Sequence, residues 1–107
     1  MGPSKMDFYK NGMGKFNGGD FEGAIAEFKK ALEIDPNFGD IHQSLAHIYE
    51  RQGNLDGALE AAKKAVECNP DDPLAHTSLS MFYQRKGMIP EAEKEQALAA
   101  QLSAKNP

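Results

Sequence analysis

Apolar residues in the middle of the chain recur at helical spacing. Ile41, Leu45, Ile48 and Tyr49 mark one stretch, and Leu55, Ala58, Leu59, Ala62, Ala65 and Val66 mark the next. Between them stand Arg51, Gln52, Gly53 and Asn54. Gly53 suits the left-handed residue that ends one helix, and Asn54 can cap the following one. The second stretch stops at Asn69-Pro70. Asp72-Pro73 then opens a further helix, with Asp as N-cap and Pro at the first helical position. Carried along the whole chain, this reading predicts helices near 5–16, 20–34, 38–51, 55–68, 72–85 and 89–103. No strand alternation, Ser/Gly linker or low-complexity tract interrupts them.

The pattern itself repeats every 34 residues. Gly19, Gly53 and Gly87 keep that step, as do Phe21, Leu55 and Ile89; Ala24, Ala58 and Ala92; and Ala31, Ala65 and Ala99. Pro36 with Pro70, His42 with His76, Leu45 with Leu79, and Tyr49 with Tyr83 follow it too. Self-similarity at this period implies an all-α solenoid of helix pairs, each unit burying its apolar face against its neighbour. The units run over 5–38, 39–72 and 73–106, within one domain spanning 1–107. The alanines fall where helices approach most closely. Such an array points to a surface that holds another polypeptide.

Composition narrows the function further. Of 107 residues, 40% are hydrophobic and 26% charged, the balance of a soluble globular chain. A formal charge of −4 and a pI near 5.3 argue against nucleic acid as a partner. The basic doublets Lys29-Lys30 and Lys63-Lys64 hold the same place in successive units and read as solvated helix faces. The single Cys68 cannot form an internal disulfide and aligns with Ile34 and Leu102, as a small core residue would. Neither a signal-peptide core nor an apolar run of membrane-span length is present, so a cytoplasmic protein without membrane contact is expected.

Leu45-Ala46, Tyr49, Gly53, Ala58, Ala65 and Pro70 resemble the tetratricopeptide repeat pattern. Leu79, Tyr83, Gly87, Ala92 and Ala99 repeat it, and Gly12, Gly19, Ala24, Phe28, Ala31 and Pro36 carry it in the first unit. The resemblance covers about residues 5–104. It implies a right-handed α-solenoid of three helix-turn-helix repeats, six antiparallel helices in all, with a concave side lined by the first helix of each pair. It also implies a scaffold that binds peptides or assembles complexes, with no enzymatic chemistry. Two departures stand out. The first helix carries Gly12 and Gly14, with Asn11 and Lys15 where Leu45 and Tyr49 stand, so it is expected to be the weakest element. The last helix carries Glu93 and Gln96 where earlier units have Ile25/Leu59 and Phe28/Ala62. That is the polarity of a terminal repeat, from which the array is expected to end here.

Projected on such a solenoid, the concave side collects Met6, Tyr9, Met13, Phe16 and Asn17 from the first unit. It adds Asp40, Gln43, His47, Glu50 and Arg51 from the second, and Leu74, Thr77, Met81, Gln84 and Arg85 from the third. The thioethers and rings suit an extended or helical segment of a protein partner, and Arg51 and Arg85 are placed to pair with its acidic side chains. The two-carboxylate clamp with which some family members hold chaperone tails has no counterpart, since its places hold Tyr9, Met13, Ser44, Leu74 and Ser78. Ala97 and Leu98 replace the lysine doublet in the last helix. With Ala100 and Leu102 they form a stripe that suits self-association into a homo-oligomer. No cofactor, metal or catalytic constellation is expected. His42 and His76 read as aromatic-sized fillers at the position of Phe8, and His47 lacks a second ligand at metal spacing. The glycines of the first unit follow no strand.

Overall fold

The computed structural model describes residues 2–105, and these form six α-helices with no strand among them. In chain order they are α1 (Lys5–Asn17), α2 (Phe21–Ile34), α3 (Gly39–Arg51), α4 (Leu55–Cys68), α5 (Pro73–Arg85) and α6 (Ile89–Lys105). Each begins and ends within one or two residues of the position expected from the sequence. They pack as three successive pairs, α1 with α2, α3 with α4 and α5 with α6, and consecutive pairs stack on one another. The result is an elongated body measuring 44 × 30 × 20 Å, an all-α solenoid of helical repeats.

Within each pair the turn is built the same way. Gly19, Gly53 and Gly87 have φ of 85°, 78° and 76°, the left-handed conformation that L side chains resist. The next amide in each case reaches back to the preceding helix: Asp20 N to Lys15 O, Asn54 N to Tyr49 O, and Met88 N to Tyr83 O, at 2.8, 2.8 and 2.9 Å. These bonds satisfy carbonyls that the helix end leaves open. Asp20 and Asn54 then cap the second helices by accepting from Gly23 N and Gly57 N, while Asp72 caps α5. A Cβ added at Gly53 meets no atom within 4 Å, so the effect of Gly53→Ala is confined to the backbone. It is expected to destabilise the protein by about 1 kcal/mol, read as a lower urea midpoint with unchanged slope.

The core runs the length of the stack. Ala24, Phe28, Ala31, Ile41, Ala46, Ile48, Ala58, Ala62, Ala65 and Phe82 are fully buried. Alanine dominates because small side chains let helix ridges settle deeply into grooves. The effect is visible at the junctions between pairs: α5 lies closer to α4 than α3 does to α2, and α4 carries Ala61 and Ala62 where α2 carries Glu27 and Phe28.

Three expectations need correction or refinement. Cys68 is only partly buried at the end of α4 rather than a core residue. Burial pushes its thiol up, helped by the nearby Glu67 carboxylate, which keeps it in the unreactive neutral form. His42 and His76 are buried, but each is more than a filler: their Nε2–H groups donate to Pro36 O and Pro70 O, tying each first helix to the turn before it. The first helix, expected to be the weakest, is capped at its start and tied to the residue that follows α2. Ser4 and Asp7 form a reciprocal capping box, and Lys5 Nζ lies 2.7 Å from Asp35 Oδ2. That hydrogen-bonded ammonium holds Asp35 below the usual carboxylate range.

Candidate functional site

The first helices of the three pairs share one face of the stack, α3 meeting α1 through Ser44 and Met13 and α5 through Glu50 and Arg85. The two halves of this face differ. Between α1 and α3 the apolar residues are largely engaged with one another and with the core. The Tyr9 ring packs 6.2 Å from Phe28 and 5.2 Å from Phe38. Met13 Sδ accepts the Ser44 hydroxyl at 3.5 Å, and Phe16 packs edge-on to Phe21. All three side chains are half-buried. Met6 at the start of the helix is exposed, as is Asn17 at its end.

Between α3 and α5 lies a hollow of about 370 Å³. The structure brings together there Asp40, Gln43 and His47 from α3 with Leu74 and Thr77 from α5, all of them expected, and adds Asp72 and Ser78. Leu74 is 71% exposed, an unusual place for a leucine side chain. Among the described residues no partner engages the Asp40 carboxylate or the Gln43 amide, whereas Asp72 is occupied in capping α5 through Leu74 N. His47 has its ring 6.3 Å from Phe82.

The cations of this face are already committed. Arg85 Nη1 lies 2.5 Å from Glu50 Oε2, a close ion pair across the α3–α5 seam, and His47 Nδ1 stands 3.9 Å from the other Glu50 oxygen. The Arg51 guanidinium lies 5.3 Å above the Phe16 ring. Arg51 and Arg85 are thus held by Phe16 and Glu50, a restraint not legible in the sequence alone. Met81 is half-buried against the core and Gln84 is exposed beside Arg85.

On α6, Ala97 is exposed while Leu98 and Leu102 are half-buried. Glu93 and Gln96 are exposed. Lys30 and Lys63 pair with Glu27 and Glu60 one turn earlier, as solvated helix faces do. Among the described residues no group of three or more His, Cys, Asp or Glu side chains is placed to hold a metal, and no helix is long and apolar enough to cross a membrane.

Six helices in stacked antiparallel pairs, joined by alike glycine turns, define a helical-repeat protein. The family model described as tetratricopeptide repeat matches residues 17–82, and the chain belongs to that family. No curated protein matches the sequence. Among solved structures, a crystal structure of MamA is similar at 26% identity and a TM-score of 0.90, over 95% of this chain and 60% of that one. The chain therefore spans about three-fifths of that relative's length. The second tetratricopeptide domain of Spaghetti (RPAP3), bound to the HSP90 peptide SRMEEVD, has 17% identity and a TM-score of 0.83 over 92% of each chain. The translocator chaperone SycD from Yersinia enterocolitica, in an alternative dimer, has 20% identity and a TM-score of 0.84, over 96% of this chain and 78% of that one.

Proposed function

We propose that the protein is an interaction module that holds an extended or helical segment of a partner protein along the α1–α3–α5 face, its concave side. The observation that carries this reading is the α3–α5 hollow. It places an exposed leucine beside Gln43 and Asp40, hydrogen-bonding groups that no other described residue engages. Apolar anchoring with a few convergent polar groups is the chemistry of peptide recognition. A related fold with a bound peptide, the Spaghetti domain, lends support. The peptide that domain holds is acidic at its end. Here the arginines are occupied by Glu50 and Phe16, and the hollow itself carries the Asp40 and Asp72 carboxylates. The segment held here is accordingly neutral or basic where it meets α3 and α5, with an apolar side chain on Leu74.

The test uses peptides selected on the protein from a random phage-displayed library. Binding is expected to shift the backbone amide signals of Gln43, His47 and Thr77. The double variant Gln43→Ala, Leu74→Ala is expected to weaken binding about tenfold or more, with an unchanged melting temperature, because both side chains are exposed or half-buried and make no internal bond. Shifts that map elsewhere, or affinity that survives the double variant, would remove this face from the account.

A further inference from the structure

Two histidines one repeat apart sit in different surroundings. His76 is 5% exposed; its Nε2 donates to Pro70 O at 2.7 Å and its Nδ1 to Glu95 Oε2 at 2.9 Å. His42 is 8% exposed and donates Nε2–H to Pro36 O at 3.0 Å, but its Nδ1 has no partner among the described residues. The reason lies one helix on. The residue of α4 that corresponds to Glu95 is Ala61. Where α6 fills the space with a carboxylate, α4 leaves a groove of about 420 Å³ between α2 and α4, lined by His42 and Ala61 together with Leu32, Leu45 and Tyr49.

The charges around this groove favour an anion. Lys29 from α2 and Lys64 from α4 line it, and neither makes an ion pair among the described residues. Glu60, also at its edge, is engaged by Lys63 at 3.5 Å. Glu67 and the neutral thiol of Cys68 face His42 only in the adjoining hollow, and Tyr49 is the one further titratable side chain from α3. A ring nitrogen of a buried histidine that no described residue engages, an apolar wall and two ammonium groups without an ion pair among the described residues form one surface. It lies on the α2–α4 side, away from the α1–α3–α5 face.

We propose that this groove takes the carboxylate of a glutamate or aspartate side chain from a partner protein, flanked by apolar residues, with His42 serving that carboxylate as His76 serves Glu95. The third repeat thus holds within itself the contact that the second offers to a partner. A carbonyl oxygen can only accept, so His42 Nε2 carries a hydrogen, and the neutral ring has a bare Nδ1. Docking of a carboxylate places a proton from solvent on Nδ1, giving imidazolium hydrogen-bonded to carboxylate. Lys29 and Lys64 stabilise the incoming charge, and Leu32, Leu45 and Tyr49 cover the apolar neighbours.

Two measurements on the full chain test this independently of the concave-face reading. The first is the variant Ala61→Glu, which supplies the carboxylate from within. The His42 Nδ1 nitrogen resonance is expected to move to the position His76 Nδ1 shows in the same spectrum, whereas Ala61→Gln leaves it in place. The second is titration with a short capped peptide bearing one glutamate between leucines. It is expected to shift the His42 ring and Ala61 methyl signals, to bind about tenfold more tightly than its glutamine counterpart, and to lose this effect in Ala61→Glu. An unmoved His42 nitrogen in Ala61→Glu, or equal binding of the two peptides, overturns the proposal. Shifts confined to Gln43, His47 and Thr77 overturn it too, and leave the concave site standing.

Discussion

Gly12→Ala is expected to destabilise the protein by about 2 kcal/mol, while Gly14→Ala, two residues further along the same helix, stabilises it by about 0.5–1 kcal/mol. By helix propensity alone both replacements are favourable, because glycine in a helix interior loses more chain entropy than alanine. The two positions differ in what surrounds them. A Cβ at Gly14 meets nothing within 4 Å. At Gly12 it would stand 2.4 Å from Cε1 and 2.6 Å from Cδ1 of Phe28, a ring that is fully buried and has nowhere to retreat. Overpacking of this kind outweighs the propensity gain. Urea denaturation of the two variants checks the opposite signs. The double variant Gly12→Ala, Phe28→Leu adds a sharper check, since the smaller side chain relieves the clash and the two changes should be strongly non-additive. Equal stabilisation by both glycine replacements would mean that α1 is not seated on Phe28 as described. The consequence reaches the α1–α3–α5 face, because Tyr9 and Met13 flank Gly12 on the same helix and are carried by its close approach to α2.

The same glycine shows where sequence reading ran out. The fold was legible because its signals are local and occur three times: helical spacing of apolar residues, a glycine at each turn, alanines at each seam. Each helix end could be placed from a cap or a turn residue within a few positions. Gly12, by contrast, was read as a weak point, because its role depends on a side chain of the next helix. Equivalent positions compensate across the repeats, Gly12 facing Phe28 where later units have Ala46 with Ala62 and Ser80 with Gln96. Reading such pairs down the units would have revealed the exchange of volume. The histidines follow the same rule: Phe8 with Glu27, His42 with Ala61, and His76 with Glu95 occupy matching places, and only the third pair joins charge to charge. On the candidate site, the expected residues Asp40, Gln43, His47, Leu74 and Thr77 converge because spacing along parallel first helices fixes their direction. The engagement of Arg85 by Glu50 was not legible. It depends on the distance between α3 and α5, which the alanines of α4 set indirectly.

Stability is expected to fall as pH rises from the imidazole range into the mildly alkaline range, and Glu95→Gln should remove most of that slope. The cause is the pairing of His76 with two acceptors. Burial by itself disfavours the charged ring, but the hydrogen bonds to Glu95 and the Pro70 carbonyl, with the Glu95 and Asp72 charges, outweigh it and hold His76 above the ordinary imidazole value. A group whose value is raised on folding binds its proton more tightly in the native state. Its contribution is therefore fully present below the unfolded value, about 6.5, and is lost as pH climbs through the raised native value. Glu95→Ala accordingly costs about 2 kcal/mol at pH 6, where a charged hydrogen bond is broken, and appreciably less at pH 9, where the ring is already neutral. Thermal melts of both proteins across that range check this. A pH-independent cost would mean that Glu95 contributes packing alone. His76 lies on α5 and Glu95 on α6, so this one proton ties together the two helices of the third pair.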